Sequence, residues 1–209
     1  MFLTSNSSLN DYLRKAGLLE EEIIFNSFSN IDRKDFVKEE LRESAYHDTA
    51  LSIGCNQTIS QPRVVAFMIS LLNPKKGDKV LDIGFGSGWT TSLLAEIVGE
   101  SGKVYGIEIV PEIYDFGRSN IEKYSFFEKN RVEVFLGNGR ESRKETAPYD
   151  CILVSASDKD PQLALKLRED LKIGGRVVIP IKNSIFLFTN RENDFEMEEY
   201  DGFTFVPLI

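Results

Sequence analysis

The hydrophobic pattern changes character twice along the chain. To about Asp48 it is helical: Leu9, Leu13, Ile23, Ile24 and Phe28 recur at helical spacings among Glu, Lys and Asn. Asp32-Arg33-Lys34-Asp35 reads as a break in that pattern. Residues 46–60 read as loop, with short polar residues, Gly54 and no sustained period. Pro62 suits a first helical turn, and Val64, Val65, Phe67, Met68, Leu71 and Leu72 give the helix after it one wide apolar face. Asn73-Pro74 stops it. From Lys79 onward, short apolar runs alternate with amphipathic stretches. Strands are expected at residues 80–83, 104–107, 132–135, 151–154 and, behind a Gly174-Gly175 turn, 176–181. Helices are expected around Trp89 to Val98, Ile113 to Tyr124 and Leu163 to Leu171. Residues 185–189 and 203–206 read as an antiparallel pair closing the sheet edge.

That alternation predicts parallel βαβ units joined by right-handed crossovers. The expected fold is a single α/β domain over residues 1–209, doubly wound in three layers and mostly parallel with an antiparallel edge. Within it, 1–48 form a helical N-terminal segment covering the site, 49–78 a loop and helix, and 79–209 the sheet.

Composition narrows the function. The chain has 209 residues, 42% apolar and 28% charged, so wholesale disorder is excluded. No stretch approaches the ~20 apolar residues of a membrane span, and the first residues lack a secretory pattern, so no membrane contact and a cytoplasmic location are expected. Two distant cysteines, Cys55 and Cys151, form neither a disulfide framework nor a metal cluster. The net charge of −8 disfavours nucleic acid as a partner. With one histidine, His47, no His-rich metal site is expected, and few groups are available for proton transfer near neutral pH. His47 itself reads as a loop residue, and Glu20-Glu21-Glu22 as a solvated helix face.

The most informative stretch is Val80-Leu-Asp-Ile-Gly-Phe-Gly-Ser-Gly-Trp89, in which Gly84, Gly86 and Gly88 fall where a strand becomes a helix. Glycines there let backbone amides approach a ligand closely. The spacing is G-x-G-x-G rather than the G-x-G-x-x-G of dinucleotide binding, which disfavours a dehydrogenase. Asp82, two residues before the first glycine, would repel pyrophosphate but suits a cationic or zwitterionic ligand. Glu108 ends the next strand, where a carboxylate can accept from both hydroxyls of a ribose.

These residues resemble the cofactor site of class I S-adenosylmethionine-dependent methyltransferases, which implies a Rossmann-like methyltransferase sheet and S-adenosyl-L-methionine as cofactor. By that resemblance Gly137-Asn138-Gly139 faces the adenine. Asn138 stands where many relatives have Asp, so a charge-assisted hydrogen bond becomes a neutral one and weaker cofactor binding is expected.

Ser52-Ile-Gly-Cys-Asn-Gln-Thr-Ile-Ser-Gln-Pro62 is similar to the substrate loop of the protein-L-isoaspartate O-methyltransferase family. So are Tyr46-x-Asp48, Ala147-Pro-Tyr-Asp150, Ser155-Ala156, Arg176-Val-Val-Ile-Pro180 and Phe205-Val-Pro-Leu208. The similarity covers most of the chain from Arg33 onward. It implies methylation of the free carboxylate of isoaspartyl residues in aged proteins and peptides, whose ester then collapses to a succinimide that partly hydrolyses to normal Asp. It also implies that Thr58 and Ser60 lie beside the transferred methyl and the acceptor carboxylate. Substrate contacts would come from Ile59, Ser155 and Ala156. Arg63 stands in place of a usual His and can pair with a substrate carboxylate. Cys55-Asn56, Lys182 and Asp170-Leu171 also depart from the family's pattern. A monomer is expected. The alternatives are a divergent carboxyl methyltransferase with another acceptor, or a cofactor-binding module without catalysis.

The chemistry fits the inventory. A carboxylate acceptor is already ionised at pH 7, so no general base is required. Rate would come from in-line alignment and exclusion of water, with Thr58 and Ser60 orienting the acceptor through weak bonds. Ser60 also reads as an N-cap for the helix opened by Pro62.

Overall fold

In the computed structural model, which describes residues 3–141 and 144–208, two short helices come first. α1 (Asn6–Lys15) is closed by a Ser5/Ser8 capping box and buries Leu9 and Leu13; α2 (Glu22–Asn30) buries Ile24 and Phe28. The stretch Arg33–Phe36 is not a plain break. It is a 3-10 turn, N-capped by Asp32, that buries Arg33 and Phe36. The expected loop at 46–60 holds a hairpin, β1 (Leu51–Gly54) and β2 (Gln57–Ile59), turned by Cys55 and Asn56 at positive φ. α3 (Pro62–Leu72) has Pro in its first turn, and Gln61 rather than Ser60 is its N-cap.

The winding begins at β3 (Lys79–Ile83) and continues through α4 (Trp89–Val98), β4 (Lys103–Glu108), α5 (Pro111–Glu122), β5 (Val132–Leu136), β6 (Tyr149–Val154) and α6 (Gln162–Leu167). It ends in β7 (Leu171–Ile181), β8 (Ser184–Asn190) and β9 (Phe195–Asp201). One seven-stranded sheet results, in the order β5-β4-β3-β6-β7-β8-β9. The first five are parallel neighbours; β8 and β9 are antiparallel additions.

Two sheet expectations need correction. Gly174-Gly175 lies inside β7, where a register shift against β6 absorbs the pair. The last strand is Phe195–Asp201, not 203–206. Its sequence alternates too weakly to read as a strand because most of it is exposed at the sheet edge. Residues 203–206 instead lead into a strap that pairs with the segment just after β6 through an isolated Ser157–Pro207 bridge.

One sheet face packs against α3, α4 and α5, with α1 and α2 on α3 and α4. The other face carries α6 and, among the described residues, no α-helix between β5 and β6. Aromatic rings cover part of it, with Phe188 stacked between Phe186 and Phe195 at 6.1 and 5.0 Å. The chain runs outward from β3 to β4 and β5, then returns to β6 on the other side of β3. Their carboxyl ends therefore diverge at a topological switch point, where open α/β sheets bind ligands.

Candidate active site

The loop from β3 to α4 forms the floor of that switch-point cleft. Gly84 and Phe85 donate their N–H groups to the Ile107 carbonyl at 2.8 and 3.2 Å, which ties the loop to the end of β4. The glycines at 84 and 88 differ in purpose. Both have positive φ, 76° and 85°. A Cβ at Gly88 would lie 2.7 Å from the Gly117 carbonyl and from Ile121, so this glycine serves helix packing. A Cβ at Gly84 would meet nothing nearer than Ala156 at 4.0 Å, so this glycine opens space in the cleft. Over Gly86 lies Ile53 of the β1–β2 hairpin.

The cleft is partly open to solvent and its walls come from several loops at the carboxyl ends of the strands. Gln57 and Thr58 of β2, Gly84, Gly86, Glu108, Gly137, Gly139, Ser155 and Ala156 line it, and Val206, Pro207 and Leu208 of the strap close it. The expected cover is therefore wrong in kind. α1 and α2 pack on α3 and α4, whereas the hairpin and the strap cover the site.

Asp82 is fully buried and does not line the cleft. Its carboxylate accepts from Thr90 Oγ1 at 2.8 Å, Thr91 Oγ1 at 2.7 Å and Ser155 Oγ at 3.2 Å. Burial pushes it up to about 6, opposed by those hydroxyl donors. It thus ties the start of α4 to the end of β6 and acts on the cleft through Ser155 and its charge. Glu108 is also buried. It accepts from the N–H groups of Gly86 at 3.1 Å, Ile109 at 2.8 Å and Val110 at 3.0 Å. Three donors leave a carboxylate room for about one further strong bond, fewer than two ribose hydroxyls require.

Asn138 is turned to its own loop: Oδ1 accepts from the Arg140 N–H at 2.9 Å, and the side chain does not line the cleft. Gly139 does line it, and a Cβ there would strike Ile83.

A second cavity adjoins the first, lined by Ala50, Thr58, Ser60, Gln61, Val64 and the strap residues Thr204, Phe205 and Val206. A narrow space bounded by Thr58, Ser60, Gly84, Gly86, Trp89, Thr90 and Ser155 lies beside both. Thr58 therefore stands at their junction with Ser60 beside it. Ile59 is buried in the core and lines only the narrow space, not the two larger cavities. Arg63 is not brought to these cavities. Its N–H bonds Asp48 Oδ1 at 2.9 Å, its Nη2 donates to the Tyr12 hydroxyl at 2.9 Å, and its Nε lies 3.7 Å from Asp48. His47 is exposed, and Cys151 is buried with its thiol pushed well up by burial.

The sequence reading missed Gln57 and the strap as walls, and Arg33. The apolar residues of 203–206 carried the strap's signal but were assigned to a strand. Arg33, in a quartet of charges, carried none.

The model of the protein-L-isoaspartate(D-aspartate) O-methyltransferase family (PCMT) matches residues 4–209. The chain belongs to that family. Among its members, the protein-L-isoaspartate O-methyltransferase of Methanothrix thermoacetophila is 40% identical over 205 residues, covering 94% of this chain and 95% of its own. That of Aeropyrum pernix is 42% identical over 204 residues, covering 95% and 77%. A Plasmodium falciparum structure assigned to protein-L-isoaspartate O-methyltransferase, in complex with S-adenosyl-L-homocysteine, superposes with a TM-score of 0.85 over 98% of each chain at 24% identity. It supports the fold. The methyltransferase family's Rossmann-like sheet is the one described above.

Proposed function

We propose that this chain methylates the free carboxylate of isoaspartyl residues in proteins and peptides, with S-adenosylmethionine as methyl donor. The observation that carries this reading is the position of Thr58, whose residue walls both the switch-point cleft and the neighbouring cavity, with Ser60 on the cavity side.

The residues present fit the cofactor. Space over Gly84 and beside Gly137 is open to a ligand, since a Cβ at either would meet nothing nearer than 4.0 Å. The acidic pair Asp82 and Glu108 suits a ligand with sulfonium and amino groups, and a pyrophosphate would be repelled. Bound there, S-adenosylmethionine supplies an activated methyl group. Glu108 would accept from a ribose hydroxyl, Gly137 to Gly139 would flank the adenine, and the glycine-loop backbone would hold the amino-acid end.

The acceptor cavity has hydroxyls at Thr58 and Ser60 and an apolar wall from Val64, Phe205 and Val206. No His or Cys lines either cavity, and an ionised carboxylate needs none. Thr58 and Ser60 orient the acceptor oxygen by weak hydrogen bonds, the strap and hairpin exclude water, and rate comes from alignment. Ser155 and Ala156 support the substrate backbone at the end of β6. Arg63, committed to Asp48 and Tyr12, acts on the site only by fixing the start of α3.

We take the enzyme to be a cytoplasmic monomer with no nucleic-acid partner. The net charge of −8 supports the last point, and among the described residues no helix is long and apolar enough to cross a membrane. The test is transfer of labelled methyl from S-adenosylmethionine to a synthetic isoaspartyl peptide, recovered as base-labile ester. Cofactor binding without ester would move the function to another acceptor or to a non-catalytic module.

A further inference from the structure

Among the described residues, Arg33 is the one cationic side chain that is fully buried. Its Nη1 donates to the Ala45 carbonyl and lies 3.5 Å from that of His47. Its Nη2 donates to the carbonyls of Thr49 and Ser60, both at 3.0 Å. The guanidinium also sits 5.3 Å from the ring centre of Trp89, the first residue of α4 after the glycine loop. No carboxylate pairs with it directly. A planar fork with five fixed donors gathers carbonyls from separate segments in a set geometry, whereas a lysine ammonium offers three donors from a single rotating point.

The base of this fork is itself held. Asp32 Oδ1 accepts from the Lys34 N–H at 2.9 Å, and Tyr46 donates its hydroxyl to Asp32 Oδ2 at 3.1 Å. Just beyond α5, the Tyr124 hydroxyl donates to Asp35 Oδ2 at 2.7 Å and Lys123 donates to the Asp35 carbonyl at 2.6 Å. Phe36 stacks on Tyr124 at 5.7 Å. A turn anchored to the sheet's helical layer thus projects a charge under the acceptor segment.

We infer that Arg33 is a positioning residue for methyl transfer, which rests on the function proposed above. Its guanidinium pins the Ser60 carbonyl, and with it the end of β2 that carries Thr58, against the glycine loop through Trp89. It touches neither cavity and contributes only alignment.

The test uses Arg33→Lys, which keeps the charge but not the fork, and Arg33→Ala with methylguanidinium added back. Arg33→Lys should speed amide exchange over residues 45–61 by about tenfold or more while β3, β4 and β6 keep their protection. S-adenosylhomocysteine affinity and peptide KM should stay within about threefold, while kcat falls by about 100-fold, the loss expected from an ångström-scale misplacement. Methylguanidinium should raise kcat of Arg33→Ala and leave the wild type unchanged. Unchanged exchange at 45–61 with kcat near wild type in Arg33→Lys would overturn the inference. So would loss of protection across the whole sheet without guanidinium rescue, which marks a merely structural role. A wild-type chain that makes no ester removes the proposed function, whereas the exchange still decides whether Arg33 holds this segment.

Discussion

Arg140 and Asp158 meet in a bidentate pair, Nη1 to Oδ2 and Nη2 to Oδ1, each at 2.9 Å. The pair joins the loop after β5 to the loop after β6, and residues of both loops line the cleft. Asp158 is buried and Arg140 is half-exposed; the hydrogen bond to Asp158 holds the Arg140 guanidinium above its ordinary value. Arg140→Ala leaves the Asp158 carboxylate buried without its cation. We expect a stability loss of about 1–3 kcal/mol, less than for a fully buried pair. Cofactor affinity should fall by about tenfold as the two walls uncouple. Chemical denaturation and calorimetry with S-adenosylhomocysteine read both, and Arg140→Ala/Asp158→Asn should recover part of the stability.

Asp82 sets a pH dependence. Its native-state value is raised to about 6 from 3.8 by burial. Between those values the folded chain holds a proton that the unfolded chain has released, so stability falls as pH rises through that window. The cost at neutral pH is about 3 kcal/mol at most. Asp82→Asn does not titrate, so its stability relative to wild type should improve from pH 4 to pH 7. Cofactor affinity in the wild type should weaken below pH 6 as the negative charge is lost, and should be flat with pH in the variant. A constant stability difference across that range would remove the titration from Asp82.

Asn138 spends its side-chain oxygen on the Arg140 N–H. A carboxylate could keep that bond and present a second oxygen. Asn138→Asp should therefore bind S-adenosylhomocysteine about three- to tenfold more tightly, the gain of a charge-assisted bond. Asn138→Ala should weaken binding by a similar factor. Equal affinity in all three proteins would place residue 138 out of the cofactor's reach.

Two glycines of one loop should separate stability from binding. Both require positive φ, which costs an L-residue about 1 kcal/mol. Gly88→Ala adds a clash with the Gly117 carbonyl and Ile121, so its melting temperature should fall much further than that of Gly84→Ala. Gly84→Ala projects a methyl into the cleft and should lose cofactor binding with only the strain cost in stability.

Much of this was legible in advance. The apolar runs at β3 and β6 are buried on both faces of a parallel sheet and so read without alternation. The glycine loop sat between a strand and a helix, where its meaning was fixed by context. The C-terminal edge was not legible, because Phe195–Asp201 is an acidic, one-sided strand whereas the apolar residues after it form a strap. Phe203 stacks on Phe67 at 5.4 Å, a partner far away in sequence. Arg63 was misplaced for the same reason, since Tyr12 lies 51 residues before it. Asp82 carried the right charge at the right strand end, but only the fold shows three hydroxyls closing round it.

The most direct test uses two peptides identical but for isoaspartate or aspartate at one position. Each is incubated with labelled S-adenosylmethionine and either the wild-type chain or Thr58→Ala/Ser60→Ala, and base-labile ester is counted. Wild type should esterify only the isoaspartyl peptide, and the double variant should lose about 100-fold in rate while still binding cofactor. Equal ester on both peptides, or an unchanged rate in the double variant, would contradict the assignment of acceptor and residues.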